Sequence, residues 1–326
     1  MDLDLSALSI TQVRRRFLNR RPTPRLLRLL AQDGRNGVRQ VYDFLKKRAD
    51  DEKRERRRIS RLLRLERGLW KSGLVQIAGV DEAGIGPLAG PVVAAAVVFP
   101  PRTRILGIDD SKKLTPELRQ QLVEQVRKKA VAVGTGVASV EEIDQINIYQ
   151  AGLLAMRRAI ENLGLVPEFV LTDARIIPGL TSPQNGIKGG DACCFSIAAA
   201  SIVAKTHRDQ LMEGLDSQYP QYGFARHKGY STPEHQRALQ EFGPSPLHRR
   251  SFLYVKEVCG NCSPLFYSYL AELYRTDSLP DLQALEAQWQ LVWEEFSEYE
   301  QRKFHQRLSR RLKQAVQEAG TSEPQA

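Results

Sequence analysis

The stretch from Ala78 to Pro91 reads Ala-Gly-Val-Asp-Glu-Ala-Gly-Ile-Gly-Pro-Leu-Ala-Gly-Pro. An apolar, β-prone run (Leu74, Val75, Ile77, Ala78, Val80) ends in two adjacent carboxylates, Asp81 and Glu82. A small-residue turn built on Gly84 and Gly86 then leads into a second apolar run, Val92 to Phe99. An unpaired carboxylate buried at a strand end costs several kcal/mol or changes its protonation state. The pair therefore asks for a partner, and a hard divalent cation suits oxygen ligands. The glycines let backbone N–H groups approach a phosphate or sugar closely. Read alone, the dipeptide fits an acidic hairpin turn better than a metal site, so the surrounding chain has to decide.

Downstream, short apolar runs alternate with helical patterns. Val92 to Phe99 reads as a strand closed by Pro100-Pro101, and Ile105 to Ile108 as a short one ending in Asp109-Asp110-Ser111-Lys112-Lys113-Leu114. Thr115 caps a helix with Pro116 in its first turn. Val131 to Val137 alternates as a strand, and Ser139 with Glu142 forms a capping box for the next helix. Phe169 to Leu171 is a strand ending in Thr172-Asp173. After a Pro/Gly-rich loop, Pro178 to Gly190, comes Asp191. It opens the run Ile197 to Lys205, small and apolar enough to pack closely on a sheet. Strands alternating with helices predict an α/β domain with a mixed sheet, over residues 73–258.

Two helical extensions flank it. Residues 1–72 carry 21 basic and 9 acidic side chains, a local charge of +12, while the whole chain is +10. The basic surplus therefore lies in this extension, where it suits a polyanionic partner as well as a solvated helix face. Residues 259–326 read as helices built on Tyr267, Leu270, Leu273, Tyr274, Leu285, Trp289, Val292, Trp293 and Phe296, with Thr321 to Ala326 expected to be disordered. The 326 residues, 42% of them hydrophobic, suffice for one full core. Four cysteines, no apolar N-terminal segment and no run of about 18 apolar residues predict a reduced, cytoplasmic protein with no membrane segment.

Asp81-Glu82, Asp173 and Asp191 each sit at a strand end or helix start. In open α/β sheets such ends gather in one crevice. Four converging carboxylates repel unless neutralised, and two Mg²⁺ or Mn²⁺ ions would satisfy them while driving phosphodiester hydrolysis.

Residues of about 74–255 resemble type 2 ribonuclease H (ribonuclease HII) through blocks in family order. These include Ala78 to Gly84, Gly86 to Val97, Asp110 to Leu114, Ile143 to Ile148, Ser196 to Lys205, Tyr222 to Tyr230 and Arg249 to Phe252. The N-terminal segment more faintly resembles an extension carried by some bacterial members. The resemblance implies an RNase H-like mixed β-sheet flanked by helices. It also implies cleavage of the RNA strand of RNA–DNA hybrids and of ribonucleotides embedded in duplex DNA. By resemblance, Asp81, Glu82, Asp173 and Asp191 form a catalytic, metal-binding quartet, with Asp81 bridging both metals. Gly84, Ile85 and Gly86 read the 2′-OH, Ser111 and Lys112 contact backbone phosphates, and Tyr230 stacks on a sugar. The expected partner is nucleic acid, with no membrane and a monomeric chain. A non-catalytic hybrid- or duplex-binding protein on the same scaffold is the alternative.

The chain departs from the family pattern at three places. Ile85 stands where the family usually has Arg, which removes a cation expected to aid phosphate binding or junction preference. Ala174 replaces the usual Gly after the third carboxylate, a mild change provided its φ is negative. An extra glycine in Lys188-Gly189-Gly190-Asp191 would displace the lysine. Cys259-Gly-Asn-Cys262 is a lone CxxC, and Cys193-Cys194 lies on the packing helix, so ordinary thiols are expected rather than zinc. Neither His227 nor His248 carries a Ser or Cys partner motif.

Overall fold

The computed structural model describes residues 5, 7–259 and 262–320. Gly260 and Asn261 of the CxxC segment, and the tail expected to be disordered, Thr321 to Ala326, lie outside them. Four helices open the chain: α1 (Ile10–Phe17), α2 (Pro24–Ala31), α3 (Asn36–Leu62) and α4 (Arg64–Lys71). Then come β1 (Ile77–Ala83), β2 (Val92–Val98), α5 (Pro116–Lys129), β3 (Ala132–Ala138), α6 (Val140–Glu161), β4 (Phe169–Asp173) and β5 (Gln184–Ile187). The remaining helices are α7 (Gly190–Cys193), α8 (Phe195–Asp216), α9 (Phe224–His227), α10 (Pro233–Phe242), α11 (Leu253–Cys259), α12 (Pro264–Arg275), α13 (Leu279–Leu291) and α14 (Glu298–Gly320). Among the described residues no helix is long and apolar enough to cross a membrane.

The five strands form one mixed sheet in the order β3-β2-β1-β4-β5. β1 pairs antiparallel with β2 and parallel with β4, so it is central. β2 is Val-Val-Ala-Ala-Ala-Val-Val, buried along its whole length, as a strand covered on both faces must be. On one face Ala95, Val97 and Phe99 meet α5 and α8. On the other, Ala94, Ala96 and Val98 meet α6. Gly79 of β1 lets α8 come down onto the sheet, because a Cβ there would collide with the Ser196–Ile197 backbone.

The predicted caps form. Thr115 Oγ1 accepts the Leu118 N–H at 3.3 Å, and Ser139 and Glu142 make the reciprocal capping box of α6. Two expectations fail. Ile105 to Ile108 is not a strand; Ile105 and Ile108 are buried by packing under α3 and α5, without a ladder partner. β5, read as loop, pairs with β4 along Gln184–Ile187.

The two extensions attach differently. Residues from α1, α2 and the first half of α3 form their own cluster around Phe17, Leu30, Val41 and Leu45. The other end of α3 is part of the main core, where Ile59, Leu62 and Leu63 pack with β2, α5 and α8. Glu66 of α4 is buried and accepts the Ser196 N–H and O–H at 2.8 and 2.9 Å, and so caps the start of α8. The C-terminal helices α12, α13 and α14 close around Trp289, which stacks on Phe296 and Phe304 at 3.9 Å each. Phe242 of α10 joins them to the sheet domain through an edge contact to Tyr274 at 4.5 Å.

Candidate active site

The parallel register of β1 and β4 pairs Val80 with Thr172, so the next positions along both strands are Asp81 and Asp173. Neighbouring strands lie about 4.8 Å apart, which brings two carboxylates side by side. Both belong to the face that packs on α8, with Ile77, Leu171 and Ile197. Asp191 enters from α7, tied in by the Gly190 N–H that donates to Asp173 Oδ1 at 2.8 Å. Strand alternation sends Glu82 the other way, toward α6.

Burial is the main influence on these acids. It pushes Asp81 well above the usual carboxylate range, and the charges of Glu82 and Asp173 push in the same direction. Glu82 is raised by burial against the pull of Arg175, and Asp191 is raised by burial and by its neighbours Asp110 and Asp173. The charge of Lys112 opposes both shifts. Ser111 is buried, and its Oγ lies 2.8 Å from Ser201 Oγ on α8, which fixes the Asp110–Lys113 turn beside Asp81.

The donor set fits a hard divalent cation: all oxygen, mutually repelling, with Glu82 Oε2 buried and lacking a hydrogen-bond partner. Among the described residues no three His, Cys, Asp or Glu side chains stand arranged as a metal cage. The reason is visible in their present partners. Glu82 Oε1 pairs with Arg175 Nη2 at 3.2 Å, Asp81 Oδ1 accepts the Glu82 N–H at 2.8 Å, and Asp173 Oδ1 holds Gly190. The four predicted acids thus lie at one end of the sheet, three on the α8 face and Glu82 on the α6 face.

The loop from Gly84 to Pro91 is held from behind by two fully buried arginines. Arg249 donates to Gly84 O at 2.6 Å, Ile85 O at 3.0 Å and Gly90 O at 2.8 and 2.9 Å. Arg208 donates to Pro91 O, Ala89 O and Lys228 O at 3.0–3.1 Å. Gly84 has φ +100° and lies against Arg208, so no side chain fits there. Gly86 has open space where a Cβ would point, which suits approach by a ligand. Ile85 leans back on the α6 core and brings no charge to the loop.

Tyr230 is 41% exposed, with Lys205 Nζ 5.2 Å and Arg208 Cζ 5.8 Å from its ring centre. Its carbonyl is held by a histidine relay whose tautomers follow from the backbone donors. The Ser245 N–H donates to His248 Nδ1 at 2.9 Å, so His248 Nε2–H donates to His235 Nε2 at 2.9 Å. His235 Nδ1–H then donates to Tyr230 O at 2.9 Å. His248 has a serine beside it, Ser245 Oγ at 2.9 Å. Both are buried within this relay, away from any open surface.

One departure resolves differently from expectation. Ala174 has φ +55°, so the condition for a mild change is not met and the left-handed backbone costs about 1 kcal/mol. The segment is pinned nonetheless by Arg175 N–H to Asp173 O at 2.7 Å and by Thr172 Oγ1–H to Arg175 O. Lys188 is exposed. Sequence reasoning missed Arg175 altogether, because only the turn after β4 carries it to Glu82.

The chain matches known proteins over most of its length. Residues 78–255 match the ribonuclease HII family, and residues 9–70 match the ribonuclease HII N-terminal domain. A ribonuclease HII of Myxococcus xanthus is 51% identical over 255 residues, covering 77% of this chain and 87% of the relative. One of Anaeromyxobacter is 49% identical over 259 residues, covering 79% and 82%. Among solved structures, the ribonuclease H2 of Pyrococcus horikoshii is 27% identical with a TM-score of 0.49, covering 56% of this chain and 96% of its own. From the matched residues and the acidic end of the sheet, this chain belongs to the ribonuclease HII family of metal-dependent endoribonucleases.

Proposed function

We propose that the protein cleaves the RNA strand of RNA–DNA hybrids and single ribonucleotides embedded in duplex DNA, with Asp81, Glu82, Asp173 and Asp191 holding two Mg²⁺ or Mn²⁺ ions. The observation that carries this reading is Asp81. It is 5% exposed, flanked by Asp173 and Glu82, and has no ion pair of its own among the described residues. A protein that only bound duplexes would have no use for a buried acid held against like charges. Bound there, the cations supply the charge that activates water and stabilises the leaving oxygen of an in-line displacement.

The chain's own groups orient the substrate. Arg208 and Arg249 hold the Gly84–Gly86 loop rigid so that the sugar at the junction meets a fixed surface. Tyr230 offers its exposed ring as a stacking platform, and Ser111 with Lys112 takes a neighbouring phosphate. The basic helices within residues 1–72 add affinity for the duplex backbone, residues 73–258 carry the chemistry, and α12, α13 and α14 lie in a C-terminal extension, residues 259–326.

The test is Mg²⁺- and Mn²⁺-dependent cleavage of two labelled duplexes, one with a single embedded ribonucleotide and one with a full RNA strand on DNA. Wild type is expected to cut both and Asp81→Asn neither. Cutting of the full hybrid alone would refute junction reading by the Ile85 loop. Tight binding without cutting of either would refute the enzyme.

A further inference from the structure

Arg175 is in an unfinished state of pairing. Its side chain is 17% exposed and, among the described residues, makes one ion pair, Nη2 to Glu82 Oε1 at 3.2 Å. Nη1 is buried and has no hydrogen-bond acceptor. The Tyr149 ring, 5.1 Å from Cζ, steadies the guanidinium from one side. It lies against Gly152 of α6, and the Ile85 side chain reaches the same glycine, so the cation sits directly beside the Gly84–Gly86 loop. The strained turn at Ala174 and the Thr172 and Asp173 hydrogen bonds to the Arg175 backbone commit the residue to this place.

A half-satisfied, largely buried guanidinium has a consequence when a divalent cation claims Glu82. Its single carboxylate partner is then shared, and a buried charge deprived of its counter-ion is strongly unfavourable. A second anion must replace it. The planar fork of an arginine fits phosphate oxygens, and the nearest surface built to receive a sugar–phosphate backbone is the adjoining loop. We propose that Arg175 is a substrate-binding residue that Glu82 holds in the metal-free protein and that pairs with a phosphate of the duplex once Glu82 turns to the metal. This rests on the reaction proposed above. Metal and substrate are thereby coupled: each removes the other's competitor from the Arg175–Glu82 pair.

The proposal gives opposite signs for two affinities, which a structural role would not. Arg175→Met should tighten Mn²⁺ binding to the protein, measured by calorimetry without substrate, by roughly tenfold, since a positive charge beside the ligand Glu82 is removed. The same variant should bind an RNA–DNA hybrid about tenfold more weakly, by fluorescence anisotropy in saturating Ca²⁺, because a charge-assisted hydrogen bond is removed. Arg175→Lys should recover part of the hybrid affinity. Gly152→Ala supplies an independent perturbation: its Cβ would displace the guanidinium, while alanine favours the helix. It should therefore lower hybrid affinity with the melting temperature held or raised.

Hybrid affinity of Arg175→Met within twofold of wild type would overturn the proposal. So would parallel losses of melting temperature, metal affinity and hybrid affinity. Because anisotropy needs no cleavage, a wild-type protein that binds hybrid but does not cut it would overturn the reaction while leaving the contribution of Arg175 measured.

Discussion

The histidine relay behind Tyr230 makes folding stability depend on pH in a calculable way. Burial pushes His235 down to about 4 from 6.5 and pushes His248 well below its usual value. The unfolded chain binds a proton at His235 below 6.5, whereas the folded chain refuses it until about 4. Stability from this group is therefore complete above 6.5 and is lost progressively as pH falls toward 4. At pH 5 the linkage relation gives a loss of roughly 2 kcal/mol relative to pH 7.5 from His235 alone. His248 adds to it with the same sign. Asp81 and Glu82, raised by burial, work in the opposite direction: the folded chain takes up their protons first, so they gain stability as pH falls. A wild-type profile alone would mix these effects. The comparison with His235→Gln isolates the relay, because glutamine can donate to Tyr230 O and accept from His248 without titrating. Urea unfolding followed by far-UV circular dichroism, in EDTA at pH 7.5, 6 and 5, should show wild type losing about 2 kcal/mol more than the variant over that range. Parallel profiles would refute the neutral relay.

Other consequences concern the acids and the basic helices. Asp81→Asn should raise the stability of the metal-free protein near neutral pH by about 1–2 kcal/mol, the scale on which functional strain is relieved. Thermal melts in EDTA read this, and the advantage should shrink at acid pH, where Asp81 is already protonated, and reverse when Mg²⁺ is added. Lys46, Lys47 and Arg48 are exposed on α3. Replacing all three by Gln should weaken hybrid binding and flatten its salt dependence, by up to about 0.9 in the log–log slope for each phosphate that is no longer neutralised. Unchanged slopes would remove these residues from the interface. Deleting residues 1–72 outright is the wrong tool, since it takes Ile59, Leu62, Leu63 and Glu66 out of the sheet domain.

The central strands, the capped helices and the gathering of Asp81, Asp173 and Asp191 were legible because each is written locally. Alternation, a cap residue or a carboxylate at the end of an apolar run suffices. Ile105 to Ile108 misled because burial, not pairing, explains its apolar residues. β5 was hidden because Gln184-Asn-Gly-Ile187 has little strand character and owes its conformation to the exposed edge of β4. The reversal at Asn147 inside α6, φ +69°, left no sequence mark either. Arg175 was illegible for a different reason. Its role depends on Gly152, Ile85 and Glu82 meeting across three elements, and no spacing in the chain encodes that encounter.

Helix α3 runs unbroken for 27 residues, about 40 Å, with one end in the N-terminal cluster and the other in the sheet core. A helix shared by two cores works as a ruler rather than a tether. The basic surface at its far end stands at a set distance from the acidic pocket and cannot search for its own ligand. Duplexes long enough to span that distance would gain its full electrostatic attraction and shorter ones none of it. Affinity should then rise with duplex length in a step, where a flexible linker would give a slope.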